Sequence, residues 1–406
     1  MRGFDHELRR RGFAGNSCQI VLELDSAVSS AALQNRVDSL VEHLPMVAAR
    51  PGGIFRPQWR LPRRNPVAPR VRVHSEKSSR QGFNEPLAVK RGELMRFELI
   101  ERAGGRMDLI FTWTHMLMDA TAAEYLLALL SDDKLNPPAS GLPPRARLKW
   151  PEKLELIKKT VAQLDQFCEA QPRSMGIRHP TAPRRLEYRV ERFSAVETQR
   201  IRANGARLCG ILGDAQFHAV VSALELHQLH RRLGCATASY ILPMPVGLRP
   251  KGRVEPLFSN QVDMLMLQFL PAHLDSIEGA VAALKTQTTQ AVRENSIGNS
   301  RRLSEMFSFL PLPVYMAVLK HGLHGEICSL FFGDTAAVNP RLEHFLGATV
   351  NDFTHVAAVT PMPGIGVVFY YFRGELRVTV IHATTVLDRA EAGAFAAGLR
   401  ARLLDP

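Results

Sequence analysis

The sequence has no long apolar segment and few of the residues that form covalent or metal cross-links. No apolar run approaches the roughly 18 residues that a membrane-spanning helix requires. The first residues, Met1–His6, lack the apolar core of a signal peptide. The cysteines are odd in number and show no Cys-x-x-Cys spacing; they are Cys18, Cys168, Cys209, Cys235 and Cys328. We therefore expect a cytoplasmic protein with reduced cysteines and with neither a membrane span nor a zinc site.

The motifs of nucleic-acid-binding proteins are also missing, although the chain is strongly basic. Its formal net charge is +12, from 51 Lys and Arg residues against 39 Asp and Glu residues. There is no zinc-finger spacing and no RNA-binding aromatic motif. One Pro-rich stretch is dense in arginine; its arginines are Arg56, Arg60, Arg63, Arg64, Arg70 and Arg72. Two interpretations of this stretch remain open, a solvated surface loop or a binding surface for an acidic partner.

The length and composition are those of a globular protein with two cores. The 406 residues are 46% hydrophobic and 22% charged, and a chain of this length is long enough for two folding units. A Pro-rich connector at residues 136–150 and a second polar link at residues 171–183 interrupt the strand and helix patterns. We place the boundary in the second link. This predicts an N-terminal lobe of residues 1–175 and a C-terminal lobe of residues 176–406.

The stretch from Asp108 to Ala120 combines a strand with a reactive side chain. Its apolar residues alternate up to Thr114, which predicts a buried strand, and Thr121–Glu124 predicts a capping box at the start of a helix. His115 lies in the loop between them. An imidazole titrates near neutrality and can accept a proton from a hydroxyl or amine. Roughly one His-x-x-x-Asp pair is expected by chance in a chain of this size, so a partly buried, backbone-bonded histidine is the alternative.

The residues from Thr114 to Ala120 resemble the His-His-x-x-x-Asp-Gly loop of the CoA-dependent acyltransferase superfamily. This superfamily includes chloramphenicol acetyltransferase, peptide-synthetase condensation domains and wax ester synthase/diacylglycerol acyltransferase-like enzymes. His115 matches the second histidine and Asp119 the aspartate, whereas Thr114 replaces the first histidine and Ala120 replaces the glycine. The resemblance implies that His115 is the general base and that Asp119 braces the loop. Alanine at position 120 implies a backbone that needs no positive φ angle.

A second segment with this resemblance follows the helices of the C-terminal half. Pro245–Pro250, with Asn260 some residues later, is similar to the PVxLRP…GN segment of wax ester synthase-like and condensation enzymes. In those enzymes an arginine of this segment pairs with the motif aspartate, which implies a pair between Arg249 and Asp119. Such a pair fits the high cost of burying a carboxylate without a partner. An exposed arginine in a turn is the alternative for Arg249.

Segments near both ends of the chain are also similar to these enzymes. The strand and helix that end in Pro45–Val47 resemble the opening of the acyltransferase lobes. Thr349–Thr354 and a hairpin at Arg373–Glu375 resemble the closing segment of the wax ester synthase-like enzymes, in which Asn351 matches an asparagine. The resemblance implies polar contacts to the substrate or to an oxyanion. The candidates for these contacts are backbone N–H groups and the side chains of Thr114, Asn260 and Asn351.

Together these resemblances imply an α/β fold of two chloramphenicol acetyltransferase-like lobes, with mixed sheets and a V-shaped cleft around His115. The implied activity is transfer of an acyl group from a thioester, on CoA or an acyl carrier protein, to a hydroxyl or amine. No metal and no tightly bound cofactor is implied. The basic surface suits the phosphates of CoA or an acyl carrier protein. Because the first histidine and the glycine are replaced, a catalytically inactive scaffold or binding module in a biosynthetic pathway remains open. Nucleic-acid binding with an accidental motif is the third hypothesis.

Overall fold

A computed structural model describes residues 1–53, 58–62, 68–75, 82–132, 149–169, 171–210, 213–235, 237–250, 253–299, 302, 310–322 and 328–406. The helices used below are α1 (Arg2–Arg10), α2 (Ser30–His43), α3 (Ala120–Ser131), α4 (Trp150–Glu169), α5 (Ala195–Cys209), α6 (Gly213–Arg232), α7 (Ile277–Arg293), α8 (Leu312–Gly322) and α9 (Arg389–Leu404). The strands are β1 (Ser17–Leu24), β2 (Arg50–Gly52), β3 (Gln58–Arg60), β4 (Val71–His74), β5 (Met95–Glu101), β6 (Met107–Thr114), β7 (Leu186–Arg192), β8 (Tyr240–Gly247), β9 (Val262–Phe269), β10 (Phe331–Ala337), β11 (His344–Phe345), β12 (Ala348–Val356), β13 (Ile365–Phe372) and β14 (Glu375–Ala383).

The first sheet has the order β11-β12-β1-β6-β5-β4 and contains the strand that leads to the motif. β6 pairs antiparallel with β1 on one side and with β5 on the other, so that Phe111 lies opposite both Ile20 and Phe97. Every residue of β6 is buried. The rings of Phe97, Phe111 and Trp113 stack in succession, with centroids 4.9 and 5.2 Å apart. β6 is therefore a firmly packed inner strand, and it forms a hairpin with β5.

The second sheet has the order β10-β13-β14-β7 and contains a similar hairpin. β13 and β14 are antiparallel and are joined by Arg373 and Gly374, whose φ angles are 50° and 79°. Two consecutive positive φ angles are typical of the tight turn that matches the twist of two paired strands. The hairpin predicted at Arg373–Glu375 is thus confirmed. β7 pairs antiparallel with β14, and β10 pairs parallel with β13.

The C-terminal half of the chain also contributes to the first sheet. β12 lies next to β1, with His355 opposite Ile20, and β11 extends this edge. Asp352 on β12 forms ion pairs with Arg192 on β7 and Arg377 on β14, and these pairs join the two sheets. The first sheet therefore contains strands from both sides of the lobe boundary predicted at residue 175. The position of that boundary remains a prediction.

Helix α6 carries three histidines. Their spacing in the sequence predicts packing or surface positions and does not predict a metal cluster. All three are buried in the structure. His218 Nδ1 lies 2.8 Å from Asp334 Oδ2, and His227 Nδ1 lies 2.9 Å from the hydroxyl of Tyr240. The ring of His230 meets the same tyrosine edge to face, with centroids 5.1 Å apart. These side chains therefore fasten α6 to the strands beneath it.

Several predictions fall on parts of the chain outside the described residues. These parts include Arg56, Arg63 and Arg64 of the arginine-rich stretch, residues 136–148 of the connector and residues 303–309 of a predicted apolar helix. Among the described arginines of the stretch, Arg72 forms ion pairs with Glu85 and Glu93. Both interpretations of the stretch therefore stay open.

The described cysteines and helices bear on two further expectations. Cys18, Cys209 and Cys235 are thiols that form no disulfide, whereas the side chain of Cys168 lies outside the description. Burial raises the pKa of the Cys18 thiol to about 12, so this residue acts as an inert packing group. Within the described ranges, no helix combines the length and the apolar character that crossing a bilayer requires.

Candidate active site

The motif occupies the short loop between the buried strand β6 and helix α3. The backbone N–H of His115 donates to the carbonyl of Asn16, which precedes β1, over 2.9 Å. The N–H of Leu117 donates to the carbonyl of Thr114 over 3.0 Å and forms a tight turn. These bonds fix the loop to the end of two neighbouring strands. The position of the His115 side chain is consequently set by the sheet.

Asp119 ends the loop and begins the helix. Its Oδ1 accepts a hydrogen bond of 3.1 Å from the backbone N–H of Ala122, which makes Asp119 the N-cap of α3. The capping box predicted at Thr121–Glu124 is therefore wrong, because the helix already begins at Ala120. Asp119 is only 2% exposed. Its carboxylate needs compensation beyond the cap.

That compensation comes from the segment that follows β8. Arg249 donates through Nη1 to Asp119 Oδ2, and the backbone N–H of Gln261 donates to the same oxygen over 2.8 Å. Arg249 also donates through Nε to the carbonyl of Val254 over 2.9 Å and through Nη2 to that of Pro256 over 3.3 Å. The expected contact between Arg249 and Asp119 is thus present. Arg249 is held by the structure around it and is not an exposed turn residue.

Asn260 is the second residue that this segment brings to the motif. Its Nδ2 donates to the backbone carbonyl of His115 over 2.9 Å. Its Oδ1 is buried and has no partner among the described residues. The contact is therefore to the backbone of His115, and it anchors the loop in addition to the bond with Asn16. One N–H of the amide remains for other contacts.

The His115 imidazole is held by the carbonyl of its own loop. Nδ1 lies 3.2 Å from the carbonyl oxygen of Met118. A carbonyl only accepts hydrogen bonds, so Nδ1 carries the proton and Nε2 carries the lone pair. The same carbonyl accepts from Trp113 Nε1 over 3.1 Å. The indole of the strand therefore fixes the group that sets the tautomer of His115.

The surroundings of His115 also favour its neutral form. Burial lowers the pKa of this imidazole below its ordinary value, the amino group of Met1 lowers it further, and the carboxylate of Asp119 partly opposes both. A lowered pKa means that the ring is unprotonated at neutral pH. Nε2 is then a free base, as general-base chemistry requires.

Thr114 and Asn351 are the other two side chains predicted to contact the substrate or an oxyanion. Thr114 lies directly before His115; it is buried, and its Oγ1 has no partner among the described residues. Asn351 is exposed and lies beside Leu24 at an irregularity in the pairing of β12 with β1. The motif is at the opposite end of β1, where Ser17 pairs with Thr114. At about 3.3 Å per residue the separation is roughly 20 Å, so Asn351 as a contact to the reaction site is wrong.

The structure adds a buried pair that sequence analysis missed. Glu124 on α3 lies 3.1 Å from His355 Nε2 on β12 and also accepts the backbone N–H of Asn339 over 2.9 Å. The His355 ring packs edge to face against Trp113, with centroids 6.3 Å apart. This pair attaches the helix behind the motif to the first sheet. The sequence offers one sign of it, a glutamate on the helix that follows the motif, and no sign of its partner.

Two sheets, each with a hairpin that leads through a short loop into an Asp-capped helix, define a two-lobed chloramphenicol acetyltransferase-like fold. Solved structures support this assignment. The first condensation domain of the calcium-dependent antibiotic synthetase, in complex with a substrate analogue, matches with a TM-score of 0.69 and 15% identity. The match covers 99% of this chain and 94% of that chain. The predicted two-lobe fold is therefore confirmed.

Two further structures show the same similarity. The TRI3 trichothecene 15-O-acetyltransferase from Fusarium sporotrichioides has a TM-score of 0.68 at 12% identity, over 99% of this chain and 92% of that chain. The condensation domain of the monacolin K polyketide synthase MokA has a TM-score of 0.61 at 11% identity, over 96% and 91% of the two chains. No protein-family model and no curated protein matches the sequence. At these identities the comparison establishes the fold.

Proposed function

We propose that this protein is an acyltransferase that moves an acyl group from a thioester to a hydroxyl or amine acceptor, with His115 as the general base. The observation that carries this proposal is the hydrogen bond from His115 Nδ1 to the carbonyl of Met118. It leaves Nε2 as the basic nitrogen on a loop held by two strands, a helix N-terminus and Asn260. The structural neighbours, among them an O-acetyltransferase and condensation domains, support the same class of reaction.

In the proposed reaction, His115 Nε2 removes the proton from the acceptor while the acceptor oxygen or nitrogen bonds to the thioester carbonyl carbon. The carbonyl oxygen becomes an oxyanion in a tetrahedral intermediate. The carbon–sulfur bond then breaks, and the leaving thiolate takes the proton from the imidazolium. The acyl group ends on the acceptor and the donor leaves as a thiol. The donor is CoA or an acyl carrier protein, and the chemistry requires no covalent enzyme intermediate.

Asp119 and Arg249 serve this proposal as positioning residues. Asp119 Oδ1 accepts a hydrogen bond from the α3 backbone, and Oδ2 accepts hydrogen bonds from the Gln261 backbone and from Arg249. These bonds hold the end of the loop that contains Met118, whose carbonyl orients the imidazole. The pair thus acts on the reaction through the geometry of the loop.

The oxyanion requires donors near the acyl carbon. The side chains next to His115 that offer them are the second N–H of the Asn260 amide and the hydroxyl of Thr114. Thr114 stands where the acyltransferase motif has its first histidine, so a hydroxyl donor would replace an imidazole there. We assign the oxyanion contact to these two groups, in place of Asn351.

The proposal is tested by following thiol release. Purified protein is mixed with acyl-CoAs of short, medium and long chain and with a mixture of alcohols and amines. Thiol release that depends on an added acceptor and is lost in His115→Ala is the expected result. His43→Ala changes an exposed histidine at the end of α2 and serves as the matched control. If no acyl-CoA reacts, the same assay is repeated with acyl-loaded carrier protein, and a second failure contradicts the proposal in favour of the inactive scaffold.

A further inference from the structure

The loop that follows β14 repeats the architecture of the motif loop. Asp388 is the N-cap of α9 and accepts the N–H of Glu391 over 2.8 Å, as Asp119 caps α3. The φ and ψ angles are −84° and 177° at Asp388, and −85° and 178° at Asp119. In both loops four residues separate the strand from the capping aspartate. By this alignment, Thr384 stands at the position of His115.

The hydrogen bonds at the base of the two loops confirm the alignment. The backbone N–H of Thr384 donates to the carbonyl of Arg185 over 3.0 Å, just as that of His115 donates to Asn16 over 2.9 Å. Each acceptor precedes the first residue of a strand antiparallel to the hairpin, β7 or β1. The two lobes therefore carry loops of equivalent architecture, with threonine in the second loop at the position of the imidazole in the first.

The two sites also differ at the residue that lies two positions before His115 in the first lobe and before Thr384 in the second. In the first lobe this residue is Trp113, which fills the space next to the loop and donates to the Met118 carbonyl. In the second lobe it is His382, which is smaller. A pocket of about 440 Å³ lies here, lined by His382, Glu187, Leu387 and the loop residues around them. His382 is only 4% exposed, yet neither of its ring nitrogens has a partner among the described residues.

The charged groups at the pocket are paired with one another. The pocket is lined by the carboxylates of Glu187 and Asp388 and by the guanidinium groups of Arg178 and Arg389, and Glu391 lies beside Asp388. Arg389 is mostly exposed and is paired with Glu187. An anion would have to compete with carboxylates that already hold both arginines.

Three of these groups converge as ligands of a metal ion do. The ligand atoms of His179, Asp388 and Glu391 all lie within 4.8 Å of one another. His179 Nε2 is 3.0 Å from Glu391 Oε2, and Arg178 bonds to the other oxygen, Oε1, over 2.8 Å. The backbone N–H of Asp388 also donates to Oε2 over 2.9 Å, so a cation on Oε2 would share a carboxylate that the capping box and Arg178 hold in place. An imidazole with two carboxylates is a donor set that suits zinc and related divalent metals.

We propose that a divalent transition-metal ion of the zinc class binds at the edge of this second-lobe pocket through His179, Asp388 and Glu391, with the unpartnered imidazole of His382 as a hydrogen-bond partner of metal-bound water. The site lies outside the proposed reaction centre and does not depend on it. The sequence does not reveal this site by a spacing motif, because His179 and Glu391 are 212 residues apart.

A metal ion at this site would connect the polar link between the predicted lobes to the start of α9. The backbone N–H groups of Arg178 and His179 donate to the carbonyl of Thr385 over 3.0 and 2.9 Å. The polar link between the predicted lobes is thus already hydrogen-bonded to the loop before α9. A metal ion on His179 and Asp388 would fasten this link to the helix start. Metal binding would then stabilise the folded protein by mass action.

The test is a titration of the untagged full chain with Co²⁺, followed by visible absorption, and with Zn²⁺, followed by calorimetry. One ion per chain is expected, with a melting temperature that rises with added Zn²⁺. His179→Ala should weaken binding by at least about tenfold. Asp388→Asn should weaken it as well, although asparagine caps a helix as effectively as aspartate. This variant therefore separates the loss of a ligand from the loss of the fold.

The controls keep the outcome specific to this pocket. His43→Ala removes an exposed histidine elsewhere and His115→Ala removes the proposed base, and both should bind the metal as the wild-type protein does. Equal Zn²⁺ affinity in wild type, His179→Ala and Asp388→Asn would overturn the proposal. So would a melting temperature that rises with inorganic phosphate and not with Zn²⁺, since that result would mark an anion pocket. Thiol release by His115 is measured separately, so either proposal can fail alone.

Discussion

Arg249 lies against Asp119 and joins the segment after β8 to the N-terminus of α3, two elements 130 residues apart in the chain. Their side chains are 9% and 3% exposed. The pair therefore closes the motif loop from the C-terminal half of the protein.

The first prediction concerns the stability of this pair. Arg249→Ala should lower the free energy of unfolding by about 3–5 kcal/mol, because the substitution leaves the buried carboxylate of Asp119 without its counter-charge. Arg341→Ala is the matched control, since Arg341 forms an exposed ion pair with Asp132 and should cost less than about 1 kcal/mol. Urea denaturation of the two variants provides the comparison. Equal losses would show that the Asp119 pair contributes no more than a surface pair.

The second prediction concerns Asn260. Asn260→Ala should lower kcat by about 10-fold to 100-fold, because it removes the bond to the His115 carbonyl and an oxyanion donor. It should cost only about 1 kcal/mol of stability. Gln287→Ala removes a similar bond, from the Gln287 amide on α7 to the carbonyl of Gln268 on β9. Steady-state thiol release should separate these variants, and an unchanged kcat in Asn260→Ala would contradict the assignment.

The third prediction is the pH dependence of turnover. The pKa of His115 is lowered mainly by burial, and the active form is the neutral imidazole. Activity should therefore rise with pH through an apparent pKa below the ordinary histidine value and be flat at neutral pH and above. The profile of kcat/KM against pH measures this directly. A midpoint above the ordinary value would mean that His115 is stabilised as a cation, contrary to a role as general base.

The fourth prediction concerns acid stability and His230. Burial lowers the pKa of this histidine to about 4. The unfolded chain binds a proton at its ordinary pKa near 6.5, so the folded state loses stability as the pH falls from there towards 4. The loss from this one group should be about 3 kcal/mol at the acid end. His230→Phe should remove that part of the dependence, and curves of unfolding free energy against pH for the two proteins would show it.

Local patterns predicted the elements that build the motif. The alternation from Asp108 to Thr114 identified β6, and the apolar residues after it identified α3, because each pattern depends on which face of one element is buried. The start of α3 was misplaced. Thr121 and Glu124 fit a capping box, but Glu124 is drawn into a buried pair with His355, and a contact across the sheet decides that outcome.

The composition of the site depended on long-range register and could be predicted only in part. Arg249 contacts Asp119, the pair that the resemblance implied. The resemblance did not imply the bond from Asn260 to the His115 backbone. Asn351 matches an asparagine of the superfamily in sequence, but the pairing of β12 with β1 places it at the end of the sheet opposite to the motif loop. The second-lobe pocket was not predicted, because its residues come from the interdomain link and from α9 and meet only in the folded chain.

The proposed reaction depends on removal of the acceptor's proton by His115 Nε2. The most direct test is a single-turnover measurement of thiol release with the best donor, comparing wild type and His115→Ala at one pH where both are folded. We expect a decrease of about 10²-fold to 10⁴-fold in the rate of release, with the melting temperature unchanged. An equal rate in the two proteins would show that His115 is not the general base.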